Sequence, residues 1–223
     1  LMNEFLKFFN KNNKKDLHKW LHYFDIYEEN FSKFKKKKTT ILEIGISKGG
    51  SLRMWKNYFS PDSTIVGIDI NPECKKFEKD NIKTYIGNQA DVNFLSSVIK
   101  GIGKPDIIID DGGHTSNQQI ISFNYLFGHL NDKGIYLVED THSSYHSDFQ
   151  DRQDGFTFMD YAKSLADKLN LWYQYYDYKI YKKEIKEKIN MPYFTKNTYK
   201  ICFYNSIVVF EKRNIKTPQC VLK

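Results

Sequence analysis

Short β-branched segments alternate with helical segments from residue 40 onward, and this alternation restricts the possible folds more than any other feature of the chain. The β-branched segments span residues 40–44, 64–68, 83–86, 106–109 and 135–138. Apolar residues recur at helical spacing in residues 51–59, 118–130 and 158–169. Strands that alternate with helices are typical of a parallel sheet covered by helices on both faces. We therefore predict an α/β protein with a Rossmann-like, mostly parallel sheet.

The two ends of the chain depart from this alternation. Near the N-terminus Asp16 is placed to cap a helix, and the apolar residues that would form one face of that helix are Leu17, Trp20, Leu21 and Phe24. Near the C-terminus, residues 200–204 and 206–210 flank the turn-forming Asn205, which predicts an antiparallel closing hairpin. The predicted organisation is an N-terminal helical cover over residues 1–39, a sheet domain over 40–212 and a tail over 213–223.

Composition limits the class of protein. The chain has 223 residues, of which 40% are hydrophobic and 16% aromatic, enough to form a large core. No apolar stretch approaches the roughly 18 residues that a membrane span requires, and residues 1–15 are too polar for a signal peptide. Cys74, Cys202 and Cys220 lie far apart, which predicts neither a disulfide framework nor a thiolate zinc site. We expect a cytoplasmic protein without membrane insertion.

The chain is basic, with a formal net charge of +7. Its densest basic run, residues 35–38, comes directly before the first predicted strand and lacks the interleaved aromatic residues of a nucleic-acid platform. A solvated loop explains that run better than nucleic-acid binding does. A mildly basic cleft would also suit a smaller anion, such as the diphosphate of a nucleotide-linked substrate.

A glycine-rich turn follows the first predicted strand and contains Gly45 and Gly49, while Asp69 ends the second strand. In an open α/β sheet, ligands bind beyond the carboxyl ends of the strands, and an acid at the second strand can accept hydrogen bonds from ribose hydroxyls. Ser47 occupies the position where a dinucleotide fingerprint has its second glycine, and Glu43 would repel a pyrophosphate. The turn therefore favours S-adenosylmethionine, which carries no phosphate, over a nicotinamide dinucleotide.

The fourth and fifth predicted strands each end in a pair of acids. Asp110 and Asp111 follow one strand, and Glu139 and Asp140 follow the other. If these strands are neighbours, their tips lie about 4.8 Å apart, so the acids of both strands can converge. We predict that Asp111, Glu139 and Asp140 bind a divalent cation, with Mg²⁺ preferred. A hydroxyl coordinated to that ion would be more acidic, and His114 is the candidate general base.

Each of these features also has a purely structural interpretation. The run 110–113 is a good turn sequence, residues 139–140 could cap a helix, and a loop histidine is most often solvated. Taken singly, each feature favours that interpretation. Their occurrence together, on the same sheet edge as the glycine turn, favours a functional site.

Five ordered motifs together carry a resemblance to a known family. They lie at residues 42–52, 67–70, 87–91, 109–114 and 138–140, and they are joined by Lys19, Trp20 and Tyr23 and by the closing segment 207–212. Over roughly residues 17–212 the chain resembles metal-dependent class I methyltransferases. It is most similar to sugar O-methyltransferases of the macrocin and mycinamicin type and to enzymes that methylate capsular heptoses.

The resemblance implies a set of cofactor contacts. Glu43, Gly45, Gly49 and Ser51 would surround the methionine part of S-adenosylmethionine, and Asp110 would lie near its amino group. Asp69 would bind the ribose, and Asn88 and Gln89 would face the adenine. Residues 171–199 match the family least, so the acceptor is not carried over.

The resulting hypothesis is an S-adenosylmethionine- and divalent-metal-dependent O-methyltransferase. Its substrate would be a sugar hydroxyl, on a nucleotide- or carrier-linked sugar of polysaccharide or natural-product biosynthesis. We expect a homo-oligomer, with the N-terminal helices and the segment after Tyr145 forming a lid. The alternatives are a catechol-type O-methyltransferase, a nucleic-acid methyltransferase and a nucleotide-binding module without catalysis.

Overall fold

The computed structural model describes residues 3–175 and 190–219 and contains a seven-stranded sheet. The strands are β1 (Thr40–Ile44), β2 (Thr64–Asp69), β3 (Ile82–Ile86), β4 (Ile107–Asp110), β5 (Ile135–Val138), β6 (Thr198–Tyr204) and β7 (Ile207–Lys212). Their order across the sheet is β3-β2-β1-β4-β5-β7-β6. Strands β1 to β5 are parallel, and β7 lies antiparallel between β5 and β6. The predicted fold class and the antiparallel closing hairpin are both confirmed.

The central strands are apolar along their whole length because helices cover both faces of the sheet. In β4, Ile107, Ile108 and Ile109 are all fully buried although successive side chains point to opposite faces. One face packs on the helices α1 (Glu4–Lys11), α2 (Tyr23–Phe31) and α3 (Gly50–Tyr58). The other packs on α4 (Val92–Ile102), α5 (Ser116–His129) and α6 (Phe158–Leu169). A short helix, α7 (Tyr193–Asn197), precedes β6.

The crossover helices begin where the sequence supplies caps. Thr115 and Thr157 each form a capping box with the residue three positions later, at the start of α5 and α6. The bounds of α3, α5 and α6 agree with the predicted segments to within two residues. Helix α4 is an additional crossover between β3 and β4 that the periodicity did not place.

The prediction of a helix that begins after Asp16 is wrong. Residues 12–22 form a non-helical segment between α1 and α2, which we call the N-terminal arm. Asp16 caps no helix, because its carboxylate accepts hydrogen bonds from Asn12 and Arg53. Trp20 and Leu21 are 55% and 62% exposed, so the apolar spacing that suggested a helix does not mark a buried face.

Four further expectations from the sequence concern the closing hairpin, the cysteines, membrane-spanning helices and the domain division. The closing hairpin turns at Asn205 and Ser206, where Ser206 has a left-handed φ of 64°. Cys74 is buried and Cys202 partly buried, and both are free, whereas Cys220 lies outside the described residues. In the described ranges, no helix has the length and apolar character needed to cross a bilayer. The division at residues 39 and 212 stays a prediction.

Candidate active site

The two acid pairs meet because β4 and β5 are adjacent and in register. Asp110 pairs with Val138, so Asp111 and Glu139 leave neighbouring strands at the same level. One ligand atom from each of Asp111, His114 and Asp140 lies within 4.8 Å of the others. The Nε2 atom of His114 is 3.7 Å from Asp140 Oδ2 and 3.9 Å from Asp111 Oδ1. The structure therefore brings together Asp111, Asp140 and His114 of the predicted site.

Left-handed backbone conformations direct two of these side chains to the site. His114 has a φ of 59° and Asp140 a φ of 51°. Such a conformation costs a non-glycine residue roughly 1–2 kcal/mol, so it persists only where the surroundings enforce it. Strain at two residues of one cluster is consistent with a functional role for that cluster.

Glu139 is fully buried, and both of its carboxylate oxygens have partners within the protein. The Tyr27 hydroxyl donates to Oε1 at 2.6 Å, and the Lys19 ammonium donates to Oε2 at 2.6 Å. Lys19 also donates to Asp111 Oδ2 at 2.5 Å. A lysine of the N-terminal arm therefore bridges two of the three predicted metal ligands. Asp111 and Asp140 belong to the group whose ligand atoms lie within 4.8 Å of one another, whereas Glu139 is joined to Asp111 through Lys19 and lies outside that group. Metal binding by the three acids stays a prediction.

The acids outnumber the buried cation at this site. Burial would lower the pKa of Lys19, but Asp111 and Glu139 outweigh burial and hold it well above its ordinary value, so the ammonium stays charged. Burial raises the pKa of Glu139 to about 8, with Asp111 adding to the rise and Lys19 opposing it. Asp140 and Glu43 bring further carboxylates close by. Because the carboxylates outnumber the single lysine, a further cation would compensate their remaining negative charge.

Two tyrosines of α2, neither of which was predicted as a site residue, donate hydrogen bonds to the acids. The Tyr23 hydroxyl donates to Asp140 Oδ1 at 2.5 Å and lies 2.7 Å from Ser206 Oγ. His142 Nδ1 is 2.5 Å from the same Ser206 oxygen. Tyr23 and Tyr27 are four residues apart and share one helix face. In the sequence, the four-residue spacing of these two tyrosines was the pattern that could have indicated their shared role at the acids.

A cleft of about 220 Å³ lies at the carboxyl ends of β1, β2 and β4, beside the acids. Its walls include Gly45, Asp69, Asn88 and Gln89, four of the eight predicted cofactor-binding residues. A second cavity of about 330 Å³ shares Gly45 and Asp111 with the first and continues along the N-terminal arm past His114 and Asp140. Ser51 lines this second cavity. The two cavities together connect the glycine turn to the acidic cluster.

Asp69 holds the glycine turn in place. Its Oδ2 accepts hydrogen bonds from the backbone N–H groups of Ile46 and Ser47, and its Oδ1 accepts one from Asn71. Burial raises the pKa of Asp69, but the backbone donors outweigh burial and bring it below the ordinary value. The Cys74 thiol is a further hydrogen-bond partner of this carboxylate, and the predicted ribose contact stays a prediction.

The glycines of the turn allow close approaches. Gly45 has a φ of 92°, and a Cβ there would lie 2.1 Å from the carbonyl oxygen of Asp111. Gly49 has a φ of 75°, and a Cβ there would lie 2.6 Å from the Phe77 ring. At Gly50 a Cβ would lie 2.4 Å from the Asp16 carbonyl oxygen, because the N-terminal arm crosses the start of α3. The turn therefore supports both the cleft and the arm.

Glu43 and Asp110 lie beneath the cavities, fully buried on opposite faces of the sheet. Glu43 accepts hydrogen bonds from Ser51 Oγ at 2.8 Å and Trp55 Nε1 at 2.9 Å, and burial raises its pKa to about 7. Gln89 donates to Asp110 Oδ1 at 3.1 Å and accepts from the Gly113 N–H at 2.9 Å. The contacts predicted for Glu43, Asp110 and Gln89 with the cofactor stay predictions.

Burial raises the pKa of Asp110 to about 7 from the ordinary 3.8, which predicts a pH-dependent stability. Between these values the folded protein keeps a proton that the unfolded chain releases, so stability falls as pH rises. We expect Asp110→Asn to remove this dependence. Relative to the variant, the wild type should lose roughly 2 kcal/mol of unfolding free energy between pH 5 and pH 7.

Urea unfolding of both proteins at pH 5, 6 and 7 measures this difference. Asp62→Asn, at an exposed position in the turn before β2, is the matched control and should give a constant difference from the wild type. A constant difference for Asp110→Asn as well would contradict the prediction.

The chain is similar in sequence to known O-methyltransferases. The chain is 37% identical over 153 residues to the 8-demethyl-8-alpha-L-rhamnosyl tetracenomycin-C 2'-O-methyltransferase of Streptomyces olivaceus, a match that covers 65% of this chain and 40% of that protein. It is 35% identical over 165 residues to the demethylmacrocin O-methyltransferase of Streptomyces fradiae, covering 68% of this chain and 41% of that protein. No protein-family model matches the chain.

Among solved structures, the chain is similar to the MycE methyltransferase of the mycinamycin biosynthetic pathway in complex with Mg, SAH and mycinamycin VI. The TM-score is 0.79 at 26% identity, and the match covers 95% of this chain and 54% of MycE. The chain thus spans well under two thirds of the length of these relatives. The matches confirm the class I methyltransferase fold and the resemblance to macrocin- and mycinamicin-type sugar O-methyltransferases.

Proposed function

We propose that this chain, a relative of the macrocin- and mycinamicin-type sugar O-methyltransferases, transfers a methyl group from S-adenosylmethionine to a sugar hydroxyl with the help of a divalent cation. The observation that carries the proposal is that Asp111 lines both of two neighbouring cavities, with His114 and Asp140 beside it in the second. One cavity follows the glycine turn, and the other leads outward along the N-terminal arm.

The first cavity suits the adenosyl part of the cofactor. Asp69 lines this cavity where the ribose would lie, and Asn88 and Gln89 stand at the end of β3 where the adenine would lie. The acids nearby tolerate the cationic amino group and sulfonium of S-adenosylmethionine but would repel a pyrophosphate. MycE, which shares this fold, binds SAH and Mg in its solved structure.

The acidic cluster suits Mg²⁺, with Asp111, Glu139 and Asp140 as its ligands. Carboxylate oxygens are the ligands that this ion prefers, and when bound it lowers the pKa of a coordinated hydroxyl. His114 presents Nε2 to the same space, within 4 Å of two carboxylates. The imidazole can therefore accept the proton of the acceptor hydroxyl.

The second cavity supports an acceptor that carries negative charge. Its walls contain Lys15, His18 and Lys48, all exposed, in addition to the acids at its inner end. Basic side chains at the mouth favour a sugar linked to a nucleotide diphosphate or another anionic carrier. Such sugars occur in polysaccharide as well as natural-product biosynthesis.

The remaining parts of the proposal concern location and partners. We propose a cytoplasmic protein that forms a homo-oligomer and binds neither nucleic acid nor membrane.

Removing the metal tests this proposal. Methyl transfer to a panel of nucleotide sugars should fall at least tenfold in EDTA and recover when Mg²⁺ is restored. Binding of S-adenosylhomocysteine, followed by calorimetry, should persist in EDTA because the adenosyl cavity does not require the ion. Full activity in EDTA would exclude the metal role.

The acceptor panel separates the remaining alternatives. A neutral glycoside, a catechol and an RNA are assayed beside the nucleotide sugars. Preference for the catechol would replace the sugar substrate with a small aromatic one. Cofactor binding without transfer to any acceptor would indicate a binding module.

A further inference from the structure

Lys19 lies between the two carboxylates that the divalent cation would need. Its Nζ is 2.5 Å from Asp111 Oδ2 and 2.6 Å from Glu139 Oε2, and the side chain is only 3% exposed. A divalent cation bound to the same oxygens would sit about 2.0–2.6 Å from each of them. The ammonium and the ion would then occupy the same space.

Glu139 has no second oxygen to offer while Lys19 stays in place. Its Oε1 accepts the Tyr27 hydroxyl at 2.6 Å, and Tyr27 is itself fully buried. Asp140 likewise gives Oδ1 to Tyr23. Glu139 thus has no free oxygen, whereas Asp111 Oδ1 faces His114 Nε2 at 3.9 Å, so an ion that takes Glu139 as a ligand must displace Lys19.

The N-terminal arm that carries Lys19 is an irregular segment with polar contacts at both of its ends. It has no helix or strand, and its outer residues Trp20 and Leu21 are more than half exposed. At one end Asp16 is held by Arg53, and at the other His22 lies 3.1 Å from the Asn205 carbonyl oxygen. Between these contacts, the ion pairs of Lys19 are the buried polar link from the arm to the sheet.

We propose that Lys19 and the divalent cation compete for Asp111 and Glu139, so that binding of the ion expels the ammonium and releases the middle of the N-terminal arm. Lys19 balances the buried acids before the ion arrives, which keeps an unpaired charge out of the core. Ion binding thereby opens the second cavity, whose wall includes Lys19. This inference rests on the metal site of the proposed function.

Metal binding to the ligand-free chain measures the competition. Mn²⁺ affinity is determined by calorimetry and by electron paramagnetic resonance for the wild type and for Lys19→Met. The variant should bind at least tenfold more tightly, because the ion no longer displaces a cation. Lys48→Met removes the same charge from an exposed position on the same cavity and should change the affinity less than threefold.

A second measurement needs no variant. Acetylation of the wild-type chain, read by mass spectrometry, should modify Lys19 at least fivefold faster with Mg²⁺ than with EDTA, while Lys48 reacts equally in both. The same comparison decides the question if Lys19→Met does not fold.

The outcomes distinguish this inference from the proposed function. Unchanged or weaker Mn²⁺ binding by folded Lys19→Met, or unchanged acetylation of Lys19 in the presence of bound ion, would overturn the competition and leave the metal site intact. No Mn²⁺ binding by either protein would overturn both.

Discussion

Replacing His114 with alanine is expected to lower the rate of methyl transfer by about 10²- to 10⁴-fold, the usual contribution of a positioned general base. The imidazole Nε2 is the basic atom that lies within 4 Å of both Asp111 and Asp140, where the acceptor hydroxyl would be held. His114 lines the second cavity and not the cofactor cleft, so binding of the cofactor should change little when it is removed. The loss should appear in kcat rather than in cofactor affinity.

Two measurements show which role His114 has. Mn²⁺ affinity should stay within threefold of the wild type if the imidazole acts as the base, and should fall with kcat if the imidazole is instead a metal ligand. His129→Ala, at the end of α5 and away from the site, is the matched control and should keep its activity. Near-normal turnover of His114→Ala would remove this residue from the mechanism.

Gly45→Ala is expected to reduce S-adenosylhomocysteine affinity by more than about 100-fold, because two costs combine at this position. The φ of 92° is a conformation that alanine rarely adopts, and the added Cβ would lie 2.1 Å from the backbone oxygen of Asp111. To relieve this clash, either the glycine turn or the end of β4 would have to shift. The wall shared by both cavities would therefore be displaced.

Gly128→Ala is the control for this substitution. Gly128 lies within α5, and no atom is within 4 Å of the position its Cβ would take. Alanine there should stabilise the protein by up to about 1 kcal/mol through helix propensity and leave cofactor binding unchanged. Calorimetry and thermal unfolding of both variants make the comparison. Wild-type affinity in Gly45→Ala would show that the turn does not shape the cofactor cleft.

The sheet could be predicted because each strand is indicated by a short run of neighbouring residues. The β-branched runs set the strands, and adjacency of β4 and β5 follows from the usual order of such sheets, which brings Asp111 and Glu139 together. The N-terminal arm could not be predicted in the same way. Its conformation depends on Lys19, whose partners lie 92 and 120 residues away in the chain.

In the candidate site, too, residues identified by nearby sequence could be predicted, and contacts between residues far apart in the chain could not. The acids and His114 could be placed because they occupy strand ends, where ligands bind in this class of fold. Their hydrogen-bond partners could not be placed, because Tyr23 and Tyr27 reach the acids across 117 and 112 residues. Sequence periodicity identifies these tyrosines only as aromatic residues on one face of α2.

The insertion of β7 between β5 and β6 has a consequence for synthesis of the protein. Strand β5 obtains its outer neighbour, and Tyr23 its Ser206 partner, only from residues beyond 204. A nascent chain on the ribosome therefore carries all of the acids long before the edge that supports them exists. Translation must therefore pass residue 212 before the sheet edge beside the acids is complete.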